Sequence, residues 1–228
     1  MTDRSSSRTT INDLLLELVN SGERIIYARE AVIVYPVSNQ AQILERGIRS
    51  EIKANNFVCA VSLLRSLMEA AMVLVYESTA DKRNKEENYN QIVQNKRLRR
   101  WSKSKRDWEN VRDEHLIQQF ETSTKIPIRQ SYNNACDMLH FSTKHFQMLG
   151  EQKASDTDTA RVIFTFSESG PEVPKSEYDA IVKLTNDLMG IVQDYLAAWI
   201  QQKRRNHSEP SSVLAEKVLN GRQVINRG

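Results

Sequence analysis

Residues 57–75 read FVCAVSLLRSLMEAAMVLV, and their pattern decides the fold class. Four of them are clearly polar: Ser62, Arg65, Ser66 and Glu69. The spacing i, i+3, i+4, i+7 gathers these into one stripe about 100° wide on an otherwise apolar helix. A helix so apolar belongs at the centre of a bundle, with its stripe turned to water or to polar partners on another helix. The stretch is barely long enough to cross a bilayer and carries Arg65 and Glu69. With a mean hydropathy of −0.56 for the chain, no membrane span is expected.

Working outward, apolar residues recur at helical spacing on both sides. Ile11, Leu14, Leu15 and Leu18 predict a first helix, capped by Thr10 or Asn12, interrupted at Gly22 and ending before Pro36. Ser38 is then placed to cap a second helix carrying Ile43, Leu44, Ile48 and Ile52, with a break at Asn55–Asn56. A helix over about 104–121 is expected from Trp108, Val111, Leu116, Ile117 and Phe120. Another follows Pro127, over about 128–149, on Ala135, Met138, Leu139, Phe146 and Leu149. Ser176 opens a long final helix to about Arg205, with Tyr178, Ile181, Leu188, Val192 and Trp199 on one side. Only RVIFTF (161–166) reads as β-like. The expected fold is all-α: a bundle of five or six helices with a short β-like excursion near 161–166.

Seven glycines and five prolines in 228 residues fit a chain with few tight turns. Residues 1–10 are polar and expected to be disordered, 11–205 form a single helical domain, and 206–228 are a polar tail. Within the domain, 79–110 is a charged, apolar-poor excursion, expected to be a solvated helix or irregular. The start lacks the apolar core of a secretory leader, and Cys59 and Cys136 read as reduced thiols, so a cytoplasmic protein is expected. No Gly-rich phosphate loop, dinucleotide fingerprint, Cys-x-x-Cys or HExxH is present, and no cofactor is expected.

Two constellations bear on chemistry. Tyr132, Cys136, His140 and Lys144 recur every four residues, so they share one slowly turning helix stripe. If the 57–75 stripe faces it, Arg65, Glu69 and His140 unite a cation, a carboxylate and an imidazole. Such a set can do acid–base work on a phosphodiester, with His140 carrying the proton, Arg65 stabilising the pentavalent charge and Glu69 orienting them. The same residues also make sense as a polar network without a reaction, or as a solvent-facing stripe. Cys136, His140 and His145 cannot converge from one straight helix, so no metal site is expected. The second constellation is basic: Lys96, Arg97, Arg99, Arg100, Lys103, Lys105 and Arg106, with Trp101 inside and Trp108 beyond. These cations can neutralise phosphates while a tryptophan stacks on a base. The alternative is a solvated charged face, or a surface for an acidic protein partner.

ANNFVCAVSLLRSLMEAA, followed about 65 residues later by SYNNACDMLHFSTKHF and then by a long closing helix, resembles the HEPN-like group of small bacterial helical proteins, including abortive-infection-related domains. Arg65, Leu67 and Glu69 match its Arg-x-Leu-x-Glu helix; Tyr132, Cys136 and His140 match its Tyr–x3–(Ser/Cys)–x3–His string. The resemblance implies a helical bundle, often a homodimer, in phage-defence or toxin–antitoxin settings, engaging RNA and sometimes cleaving it without metal. Its ribonuclease members place Arg four to six residues before His on one helix. Here Arg129 lies eleven before His140 and Arg112 three before His115. His140 alone carries over, with Arg65 as a substitute from another helix.

Overall fold

The computed structural model describes residues 10–20, 30–94, 96–139, 150–152, 162–164 and 173–207. Seven helices are described: α1 (Ile11–Asn20), α2 (Ala31–Lys53), α3 (Phe57–Thr79), α4 (Lys82–Val93), α5 (Asp113–Thr124), α6 (Arg129–Leu139) and α7 (Lys175–His207). Two small antiparallel ribbons accompany them, β1 (Arg99–Ser102) with β2 (Asp107–Asn110) and β3 (Gly150–Gln152) with β4 (Val162–Phe164). The protein is all-α with short β excursions, as the periodicity predicts, and β4 falls inside 161–166.

Several helix starts are fixed by side-chain caps. Thr10 Oγ1 accepts from Asp13 N (3.1 Å) while Asp13 Oδ2 accepts from Thr10 N (2.8 Å), a reciprocal cap on α1. Between α2 and α3, Asn55 takes the left-handed conformation (φ 56°) and Asn56 caps α3 by accepting from Cys59 N. The α6 start is capped at long range: one Glu121 carboxylate oxygen, from α5, accepts from both Ile128 N and Arg129 N at 2.9 Å.

α3 is the axis, touching α2, α5, α6 and α7. Ala60, Leu67, Met68, Ala71 and Leu74 are fully enclosed, with Ile48 of α2, Phe120 of α5 and Leu188, Val192 and Leu196 of α7. By length and composition α3 alone among the described helices could cross a membrane, but its apolar sides are spent on the bundle. α2 comes so close to α3 that a Cβ on Gly47 would stand 2.9 Å from Leu63 Cδ1.

Three expectations need correcting. Pro36 does not end a helix: α2 runs through it, and Ser38 lies buried inside α2 rather than capping it. The ring forfeits one backbone bond, offset by burial of Ile33 and Val34 before it and Ala41, Leu44 and Ile48 after it. The 79–110 segment holds the expected solvated helix as α4, in which Asn88 is the one buried residue, but its second half is the β1–β2 hairpin rather than irregular chain. The helix expected over 104–121 therefore begins only at Asp113, because Asp107–Asn110 pair as β2 with Arg99–Ser102. Residues 140–149 of the helix expected over 128–149, 21–29 with the expected break at Gly22, 1–9 of the N-terminal segment and 208–228 of the tail lie outside the described residues.

Candidate functional site

On α3 the four stripe residues divide their work. Ser62 and Ser66 donate back to their own helix, to Val58 O (2.8 Å) and Ser62 O (3.3 Å). Arg65 and Glu69 pair with each other at 2.9 Å, as their i, i+4 spacing allows, and both reach α6. Arg65 Nε donates to Cys136 Sγ (3.2 Å) and Arg65 Nη2 to Tyr132 Oη (3.3 Å). Its guanidinium carbon lies 5.3 Å from the Tyr132 ring centroid. Tyr132 Oη has two carboxylate acceptors within reach, Glu69 Oε1 (3.0 Å) and Asp113 Oδ2 (2.8 Å). Three helices thus meet in one cluster, half-buried at the groove between α3 and α6. Asp113, at the first turn of α5, was not singled out from sequence. It sits where a continuous helix was expected, and nothing in its spacing links it to Tyr132.

One phenol proton cannot serve two carboxylates at once. The cluster resolves this with charge: Arg65 neutralises Glu69, and the shorter phenol contact goes to Asp113. Burial, the hydrogen bond to Asp113 and the charge of Glu69 all push the Tyr132 phenol well above its ordinary pKa. Burial alone would lower the Arg65 pKa, but the bond to Cys136 and the charge of Glu69 outweigh it. Tyr132 therefore remains a donor and Arg65 a cation at any physiological pH. Arg65 and Glu69 keep 25% and 41% of their side-chain surface, so the cluster is open on one side. His140 lies outside the described residues. Among the described residues no group of three or more His, Cys, Asp and Glu is placed to hold a metal ion.

The basic segment forms the hairpin. Register pairs Arg99 with Asn110, Arg100 with Glu109, Trp101 with Trp108 and Ser102 with Asp107. Arg106 closes the turn in the left-handed conformation (φ 53°). Two asparagines one turn apart on α4 satisfy the outer edge of β1: Asn88 Oδ1 accepts from Arg99 N (3.0 Å) and Asn84 Oδ1 from Trp101 N (2.8 Å). Below them Asn88 Nδ2 donates to the buried Glu77 Oε1 at 3.0 Å.

The expected nucleic-acid residues fall into two sets. Arg99 is held by Trp108 O (2.9 Å), Arg100 by Glu109 (2.6 Å) and Lys105 by the same carboxylate (3.1 Å). The face of Trp101 is covered by the Arg83 guanidinium at 3.6 Å, and its edge meets Trp108; on that face no base can stack without displacing Arg83. Lys96, Arg97, Lys103 and Arg106 are exposed. Lys96 Nζ donates only to the neutral Gln94, and none of the four has an acidic partner among the described residues. A cleft of about 540 Å³ lies between the hairpin and the start of α5, lined in part by Arg97, Arg112 and Asp113. Asp113 joins this cleft to the Arg65–Tyr132 cluster.

The chain matches no family model, no curated protein and no solved structure.

Proposed function

We propose that the protein is a HEPN-like helical accessory protein that engages RNA through the β1–β2 hairpin. The observation that carries this reading is the set of exposed cations Lys96, Arg97, Lys103 and Arg106 at the two ends of β1 in an ordered hairpin, without acidic partners among the described residues. Exposed cations fixed in place release counterions on meeting a phosphate backbone, which makes binding steeply salt-dependent. The Arg65–Tyr132 cluster then serves as a brace that fixes α5, and with it the hairpin, against α3. Titrating single-stranded RNA at several salt concentrations tests the reading. Lys103→Glu/Arg106→Glu is expected to weaken binding more than ten-fold and to flatten the salt slope by about 1.4, at ~0.7 per phosphate contact. Salt-insensitive binding, or an unchanged affinity in the variant, removes the hairpin from the argument. An acidic protein bound in place of RNA would make the chain a non-catalytic protein-interaction module.

A catalytic reading is favoured by one observation, the partial exposure of Arg65 and Glu69. In it, His140, four residues after Cys136, moves the proton while Arg65 steadies the developing charge, making a metal-independent endoribonuclease. The expected result is RNA cleavage in EDTA that His140→Ala and Arg65→Ala both abolish. Cleavage equal in the variants, or none at all, leaves the binding function alone.

A further inference from the structure

We infer that the cleft between the β1–β2 hairpin and the start of α5 seats a single phosphate monoester between Arg97 and Arg112. This deepens the RNA-engaging reading and rests on it for the source of the ligand, either the end of an RNA strand or a free mononucleotide. Val111 N donates to Leu98 O at 2.9 Å, which carries the β1–β2 ladder one step past the Arg99–Asn110 pair. Extended by one further step, that register places Arg97 across from Arg112, and both line the cleft. Like charges placed directly across a ribbon repel, and neither arginine has an acidic partner among the described residues.

The acids around the cleft already have partners. Glu109 holds Arg100 and Lys105, Glu114 pairs with Arg129, and Asp113 accepts from Tyr132 Oη. Cationic partners offset Glu109 and Glu114, while Asp113 keeps its charge because the phenol that donates to it is neutral; Arg97 and Arg112 are lining cations without an acidic partner among the described residues. A volume of about 540 Å³ lies within the range of small-ligand sites. A phosphomonoester carries a charge of about −1.5 to −2 near pH 7 and three strong acceptor oxygens, which suits two guanidinium forks. The Asp113 carboxylate, whose charge no cation offsets, opposes a second phosphate beside the first. That selects a terminal phosphate over a continuous backbone, and sets this seat apart from Lys103 and Arg106 at the hairpin turn.

The test uses an internally labelled oligoribonucleotide with and without terminal phosphates, together with adenosine 5′-monophosphate and inorganic phosphate as separate ligands. Removing the end phosphates is expected to weaken binding about ten-fold. Arg97→Ala/Arg112→Ala should bind both oligonucleotides alike and lose binding of the two small ligands, with its helical circular dichroism unchanged. Arg97→Lys/Arg112→Lys should recover part of the preference, since it restores charge but not the forks. If RNA does not bind while the small phosphates do, through Arg97 and Arg112, the cleft stands and the RNA reading falls. RNA binding that is salt-sensitive but indifferent to end phosphates, with no binding of either small phosphate, overturns the cleft and leaves the RNA reading intact.

Discussion

At pH 8 Glu77→Gln is expected to be about 3 kcal/mol more stable than the parent protein, and at pH 5 the gap should shrink to under about 1 kcal/mol. Glu77 stands near the C-terminal end of α3 and is only 3% exposed. Burial pushes its carboxyl up from 4.5 to about 7; the bond from Asn88 and the charge of Lys85 oppose this, and the charge of Glu30 adds to it. Between pH 4.5 and 7 the folded chain keeps a proton that the unfolded chain has released. The stability that this group contributes is therefore complete below about pH 4.5, drains as pH rises, and is gone above about 7. Glutamine mimics the protonated acid: its Oε1 still accepts from Asn88 Nδ2, and no charge needs burying. Urea unfolding of both proteins across pH 5–8 reads the difference directly. His115 has an opposite dependence, since burial and Arg100 lower its pKa, but both proteins contain it and it cancels. A gap that stays constant with pH would mean that Glu77 does not titrate in this window.

The same carboxyl underlies the hairpin. Asn88 joins Glu77 to the β1 edge by donating to one and accepting from Arg99 N of the other. The hairpin therefore rests, through one amide, on a group that changes charge near neutral pH. The exposed cations Lys96, Arg97, Lys103 and Arg106 lie outside, while the Asn88–Glu77 bond beneath is buried and the asparagine bonds to β1 are half-buried.

Why the helices were readable and the hairpin was not follows from what each depends on. α3 shows one polar stripe against apolar sides because it meets four other helices, and its break at Asn55–Asn56 is local chemistry. In RRWS and DWEN the alternation of a strand is hidden, because arginines occupy both faces of one strand and each tryptophan shares its face with a polar residue. What holds that ribbon is remote in sequence: Asn84 and Asn88 on its outer edge, Arg83 on its tryptophan. Pro36 misled for a related reason, since its local cost is overridden by residues that only the tertiary structure buries. At the site, the four-residue recurrence of Tyr132 and Cys136 and the stripe of Arg65 and Glu69 each announce a polar face. Their meeting with Asp113 depends on where α5 begins, which the hairpin decides.

The Leu67→Ala variant should lose about 3 kcal/mol of stability, with a melting temperature about 10 °C lower. Leu67 lies between Arg65 and Glu69 in sequence but about 200° around the helix from Arg65, and it is fully enclosed. Truncation removes three buried carbons and leaves a hole that α3, held on several sides, cannot close by moving toward one neighbour. Arg65→Ala makes the contrasting case. It removes the Arg65–Glu69 pair and the bonds to Cys136 and Tyr132, but at a groove that water can reach, so the loss should be nearer 1–2 kcal/mol. Thermal unfolding of the two variants side by side therefore ranks the two sides of α3. A larger loss in Arg65→Ala than in Leu67→Ala would mean that the polar cluster, rather than the apolar sides of the central helix, holds the bundle together.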